Sequence, residues 1–211
     1  MARRFKTGRP TKAEAQEKQR KLLDAAADLF LEMGYKNTTV ELIAASVGIT
    51  KRTLYSWHSD KAALFLATFR HAIERLIEKQ AATLDALRDE GLETALKGVL
   101  RFRLWQVMSP VGIKVQRMVF AESLEFPQLY QMVHGRVTMP VVDFLEDVLR
   151  RHADDSDLEV ADAPQIATAL LSMATGGPAR VVITGDPLDE ARVENRVDFC
   201  VKLVLDGIRR R

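Results

Sequence analysis

The chain has 211 residues, 47% hydrophobic and 28% charged, which is enough apolar material for a real core and too much for a disordered chain. Its one cysteine, Cys200, excludes an intramolecular disulfide framework and fits a reducing, cytoplasmic setting, and no apolar run suggests a signal peptide or a membrane span. The net charge of +2 hides an asymmetry: residues 1–61 hold 12 Lys/Arg against 7 Asp/Glu, and residues 62–211 hold 19 against 22, a basic head and an acidic body compatible with nucleic-acid binding.

Residues 1–12 carry Arg3, Arg4, Lys6, Arg9 and Lys12 with no acid, and Gly8 and Pro10 oppose a helix. This segment is either a solvated tail or a basic arm that orders on DNA. Helix one is predicted from about Lys12 to Met33, with Thr11 as N-cap, Glu14 completing a capping box, and Leu22, Leu23, Ala26, Leu29 and Phe30 at helical spacing. Gly34 is the stop signal, Tyr35 packs beneath the following turn, and Thr38 or Thr39 caps the next helix.

The stretch Thr38–Lys61 reads as two short helices, about Val40–Val47 and Lys51–Trp57, joined by Gly48, Ile49 and Thr50. That is the spacing of a DNA-binding helix-turn-helix. Ala44 marks the close helix crossing, Gly48 supplies a positive φ, and Ile43, Val47, Ile49, Leu54 and Trp57 lock the pair together. Lys51, Arg52, Thr53, Tyr55 and Ser56 point outward, offering cations, hydroxyls and a phenol to phosphates and base edges.

Ser59 or Asp60 caps a long helix four, about Lys61–Leu87, with a stripe of Leu64, Phe65, Phe69, Ile73, Leu76 and Ile77. Helix five follows at Leu92–Met108, helix six at Val111–Glu125, and helix seven at Pro127–His152 with a kink expected at Pro140. Helix eight is expected over Ala163–Thr184, interrupted at Gly176-Gly177-Pro178, and helix nine from Asp186-Pro187 to Arg211. The fold class is therefore all-α with about nine helices: an N-terminal three-helix domain with a helix-turn-helix over residues 1–60, and an antiparallel helical domain for ligand binding and dimerisation over 61–211.

Gly34, Thr39, Val40, Ile43, Ala44, Val47, Gly48, Ile49, Thr53, Leu54, Tyr55, Lys61, Leu64 and Phe65 together resemble the DNA-binding domain of TetR/AcrR-type transcriptional regulators. RMVFAESLEFPQLYQMV, from Arg117, resembles helix six and the start of helix seven in some AcrR-like members. The chain departs from the family pattern twice: His58 stands where members usually carry Phe, so that Trp57 and His58 exchange core and surface roles, and Arg52 stands where many have a small residue. The resemblance implies that Thr39 and the start of helix two meet phosphate, that Lys51 and Tyr55 lie at backbone or groove, and that Lys61 meets phosphate. The DNA-contacting set is then Thr39, Thr50, Lys51, Arg52, Thr53, Tyr55, Ser56, Trp57 and Lys61. Arg52 either reads guanine O6 and N7 or meets a phosphate or solvent.

The four histidines, His58, His71, His134 and His152, lack ligand spacing, and no phosphate loop, nucleophile elbow or paired catalytic motif occurs, so no metal, cofactor or enzymatic activity is expected. Helices five to eight are rich in Met and aromatic residues, which form either ordinary core or, as the resemblance supports, the lining of an apolar ligand cavity. The ligand set is Phe102, Trp105, Met118, Glu122, His134 and Met173, with His134 near Tyr130 on one helical face. Arg101, Arg103, Arg117 and Glu122 are the polar contacts on offer, and sequence does not say which points inward.

Leu170, Leu171, Val182, Val197, Val201, Leu205 and Ile208 exceed what one body need bury and point to a homodimer surface on helices eight and nine, the alternative being the core of a monomer. The implied partners are a double-stranded, roughly palindromic operator and a small apolar or amphipathic effector that releases the repressor. The rival readings are a regulator without ligand control, and a helical carrier or enzyme with a vestigial DNA-binding head.

Overall fold

The computed structural model describes residues 12–153, 157–177 and 189–209. Helix α1 spans Lys12–Asn37, α2 Val40–Ser46, α3 Lys51–Trp57, α4 Lys61–Leu87, α5 Leu92–Met108 and α6 Pro110–Glu122. Pro127–Val133, a π-helical turn at His134–Thr138 and Met139–Arg151 form one uninterrupted run, α7. Helix α8 spans Ala163–Thr175 and α9 Glu190–Ile208. The only β pairing among the described residues is an isolated bridge between Leu158 and Arg209. The all-helical class holds, with nine helices among the described residues. Thr11, Val182 and the Asp186-Pro187 opening of helix nine lie outside the described residues.

The chain divides into two compact units, the first ending at Ala72 and the second beginning at Ile73. In the first, Leu22, Ala26 and Phe30 from α1 are buried with Ile43 of α2, Leu54 of α3, and Leu64 and Phe65 of α4. Each such leucine or phenylalanine contributes about 1.5–3 kcal/mol through the apolar surface it withdraws from water. The rings of Phe30 and Phe65 meet edge to face with centroids 4.9 Å apart, and Tyr35 tilts onto Phe65 at 4.8 Å. Gly34 breaks α1 as expected, with φ 78° and ψ 166°, a conformation that only glycine adopts without strain. Thr39 caps α2. Thr38 is instead fully buried and donates its hydroxyl to the carbonyls of Gly34 (2.8 Å) and Leu29 (3.2 Å), tying the turn to α1. Asp60 caps α4 by accepting from Ala63 N at 2.7 Å. The His71 imidazole of α4 meets Asp24 of α1 at 2.9 Å.

In the second unit, Leu96, Val99, Leu100 and Leu104 of α5 pack with Val141, Leu145, Val148 and Leu149 of α7, Ala167, Leu170 and Ala174 of α8, and Val193, Val197 and Val201 of α9. Cys200 is in the same core, and burial pushes its thiol pKa up, so it is a packing group. Lys97 bridges Glu93 and Asp198, each at 2.7 Å, and Arg101 forks onto Glu194, joining α5 to α9 along one edge. Arg196 of α9 donates to the carbonyls of Ala174 and Met173, each at 2.5 Å, capping the end of α8 where the helix dipole is negative.

Two expectations are corrected here. The irregularity in helix seven lies before Pro140 rather than at it: Met139 N bonds to His134 O, five residues back. The proline ring excludes the carbonyl four residues earlier, and widening the preceding turn removes that clash. The residues chosen for the dimer surface are also core: Leu170, Leu171, Val197 and Val201 are buried within the single chain, and Leu205 and Ile208 pack against them. The large apolar residues that α9 leaves exposed are Phe199 and Leu203, one turn apart.

Candidate nucleic-acid interface

Two hydroxyl caps set the helix-turn-helix. Thr39 Oγ1 accepts from Leu42 N at 3.2 Å, and Thr50 Oγ1 accepts from Thr53 N at 3.1 Å, so both short helices begin at fixed positions. Between them Gly48, at φ 67°, lets Ile49 N return to Ala44 O at 3.0 Å. Ile43, Ala44 and Leu54 are buried in the crossing, while Val47, Ile49 and Trp57 are half-buried.

His58 takes the buried position that follows α3. Its Nε2 has no partner among the described residues, and burial pushes the imidazole pKa down. Trp57, beside it, is only half-buried, so the expected exchange of roles does not occur: His58 keeps the buried position that family members fill with Phe, and Trp57 stays partly at the surface.

Lys51, Arg52, Tyr55 and Ser56 are exposed on α3, and Thr53 is half-buried. Lys51 Nζ donates to Glu41 of α2; this hydrogen bond raises the Lys51 pKa and lowers that of Glu41. Ser56 Oγ donates to Thr53 O at 2.6 Å, and the Thr50 and Thr53 hydroxyls lie 3.0 Å apart. Arg52 has no side-chain partner among the described residues, so its guanidinium is available. Lys61, half-buried at the start of α4, donates to Lys36 O at 3.3 Å and lies 4.4 Å from the Tyr35 ring centroid. Of the nine DNA-contacting candidates, the structure thus brings Thr39, Thr50 and the α3 residues onto two linked helices, and holds Lys61 in the packing of α1 against α4.

The six ligand candidates are dispersed by comparison. Met118 of α6 is buried; Phe102 of α5 and Glu122 of α6 are half-buried; and Met173 of α8 packs against the core. Trp105 is 41% exposed, and His134 is exposed and stacked on Tyr130 with centroids 5.5 Å apart. Among the four polar groups on offer, Arg103 is the one that points inward, at 8% exposure. It donates to Gln106 Oε1 and, at 3.5 Å, to Thr138 Oγ1. Sequence reasoning missed its neighbours Gln106 and Thr138, and missed Gln80 of α4, which donates to Val137 O at 3.0 Å. The signal for Gln80 was present: Ile73, Ile77, Gln80 and Leu84 share one helical stripe.

Residues 22–68 match the family model of bacterial regulatory proteins of the tetR family, and residues 94–207 match that of the AefR-like transcriptional repressor C-terminal domain. The HTH-type transcriptional regulator SrpR of Pseudomonas putida is 29% identical over 159 residues, which cover 72% of this chain and 68% of that one. The regulator BetI of Klebsiella pneumoniae is 25% identical over 191 residues, covering 88% and 92%. A crystal structure of a TetR-family transcriptional regulator from Mesorhizobium loti superposes with a TM-score of 0.81 at 20% identity, over 94% of this chain and 98% of that one, a likeness of fold.

Proposed function

The chain belongs to the TetR family of DNA-binding transcriptional regulators, and within that family we propose that it is a repressor released from a palindromic operator by a small apolar or amphipathic ligand. Regulators of this family bind DNA and small-molecule effectors and act as dimers. The observation that carries the reading is the capped, glycine-turned pair α2 and α3, which presents Lys51, Arg52 and Tyr55 to solvent on one short helix. Thr39 and Lys51 suit phosphates, and Arg52 suits a guanine edge. Residues 1–60 are the DNA-binding part in this reading, and residues 61–211 bind the effector and the partner subunit.

Dimerisation through α8 and α9 is supported by Phe199 and Leu203, which stand exposed on α9. A two-fold dimer sets two recognition helices one or more DNA turns apart, roughly 34 Å or a multiple of it, and so reads a palindrome. Release follows if the effector binds the form that does not fit the operator better than the form that does; a ligand with equal affinity for both changes nothing. No helix among the described residues is long and apolar enough to cross a membrane. A carrier or enzyme with a vestigial head is not favoured, since the chain matches a regulatory family and the face of α3 is intact.

The test is an operator titration with and without a small molecule shown to bind the second unit. The reading expects weaker operator binding when that ligand saturates. Unchanged operator affinity at saturation contradicts it.

A further inference from the structure

Arg103 occupies a position where a charge is costly. It lies among the core positions of α5, with Leu100 and Leu104 on either side, and no carboxylate among the described residues pairs with it. Its two hydrogen bonds go to neutral acceptors, Gln106 Oε1 and Thr138 Oγ1. A guanidinium has five N–H donors, and burying it without a counter-charge is unfavourable unless something else satisfies it. Burial alone pushes its pKa down to about 10, so it remains protonated at neutral pH.

The neighbouring polar atoms are also incomplete. Gln106 accepts from Arg103 through Oε1, and its buried Nε2 has no partner among the described residues. Gln80 is 2% exposed and donates to Val137 O, and its Oε1 has no partner among the described residues. Gln80 and Arg103 therefore bond to consecutive residues, Val137 and Thr138, of the π turn in α7. That turn widens the helix at the same place, and such turns recur at functional sites. A buried cation, an orphan donor and an orphan acceptor thus meet one irregular turn inside an otherwise apolar unit.

We propose that this cluster is the polar end of the effector site, where Arg103 and Gln106 Nε2 bind the carboxylate of an organic acid and Gln80 Oε1 accepts from a hydroxyl or water beside it. The inference rests on the ligand-release reading above for its role, and names the chemistry of the ligand within it. Arg suits this task because its planar fork matches the two oxygens of a carboxylate. The cost of burying the charge is then offset when the acid binds. Specificity follows from the same groups: a neutral amide or alcohol of equal size leaves the guanidinium without its counter-charge.

The full-length protein is titrated by calorimetry with decanoate, butyrate and 4-hydroxybenzoate and with their three amides. Wild type is expected to bind at least one acid and to bind its amide at least about thirtyfold more weakly. Arg103→Met keeps the volume and removes the charge, so it is expected to fold, to match or exceed wild type in thermal stability, and to lose the acid by a similar factor. Arg103→Lys is expected to recover part of the binding, because it restores the charge without the fork. Gln106→Met should weaken the acid without affecting the amide. Equal binding of acid and amide, binding of the acid unchanged in Arg103→Met, or no binding of any of the three acids overturns the proposal. An acid that binds through Arg103 without altering operator affinity leaves this site standing and refutes ligand release. A neutral compound that releases operator equally from wild type and Arg103→Met does the reverse.

Discussion

The Lys51 ammonium, on the first residue of α3, is held by the Glu41 carboxylate in the first turn of α2. Both side chains are half-exposed or more, so the pair is weak in water and screened by salt. When Lys51 reaches a phosphate, Glu41 is left beside the DNA backbone as a like charge. Glu41→Gln is therefore expected to strengthen binding to all sequences a few-fold at low salt, with the gain shrinking as salt rises. Titrations of one operator and one unrelated duplex at two salt concentrations check this. Equal or weaker binding by the variant contradicts the placement of Lys51.

Lys51 and Arg52 are adjacent but carry different expected roles. Lys51→Ala should weaken operator and unrelated DNA together and flatten the salt dependence by about one unit of slope. Arg52→Ala should relax sequence preference at one base position in each half-site, at a cost of about 1–3 kcal/mol for the preferred base. Binding measured across single-base operator variants separates the two. Unchanged base preferences in Arg52→Ala assign that side chain to phosphate or solvent.

His58 gives the first unit a pH dependence. Burial lowers its folded pKa below the ordinary 6.5, while the unfolded ring protonates near that value. Between the two values the unfolded state binds more protons, so stability is fully present above about pH 6.5 and is lost as pH falls through this window. His58→Phe removes the titrating group and supplies the apolar ring usual at this position in the family. It is expected to flatten the thermal stability profile between about pH 5 and 8 and to raise stability most at the acidic end. Parallel profiles for variant and wild type contradict this account of His58.

The dimer surface is tested on Phe199 and Leu203, not on the buried valines and leucines of α8 and α9. The double substitution Phe199→Glu, Leu203→Glu leaves the core untouched and is expected to give a helical monomer with greatly weakened operator binding. Sedimentation at micromolar concentration and circular dichroism read both. A variant that remains dimeric moves the interface elsewhere.

Local signals made the DNA-binding part legible. Gly34, Thr39, Gly48, Thr50 and Asp60 act on the few residues around them, through φ and through cap hydrogen bonds, and each sits in the role its type predicts. The second unit was less legible because its decisive facts are tertiary. Apolar periodicity shows that a residue is buried and not in what, so Val197 and Val201 read equally as core or as interface. A charge in a helix normally faces water, which hid the inward turn of Arg103 between two leucines. The π turn at His134–Thr138 has only Pro140 as a marker, and a proline announces an irregular helix without fixing which turn absorbs it.

The most direct test is selection of binding sites from a random duplex library by the purified full-length protein, repeated with Arg52→Ala. A regulator of the kind proposed enriches one two-fold symmetric motif, with half-sites separated by about one or more helical turns, and Arg52→Ala degrades a single position in each half. No enrichment above unrelated DNA at physiological salt, or an asymmetric motif indifferent to every change on α3, would contradict the account.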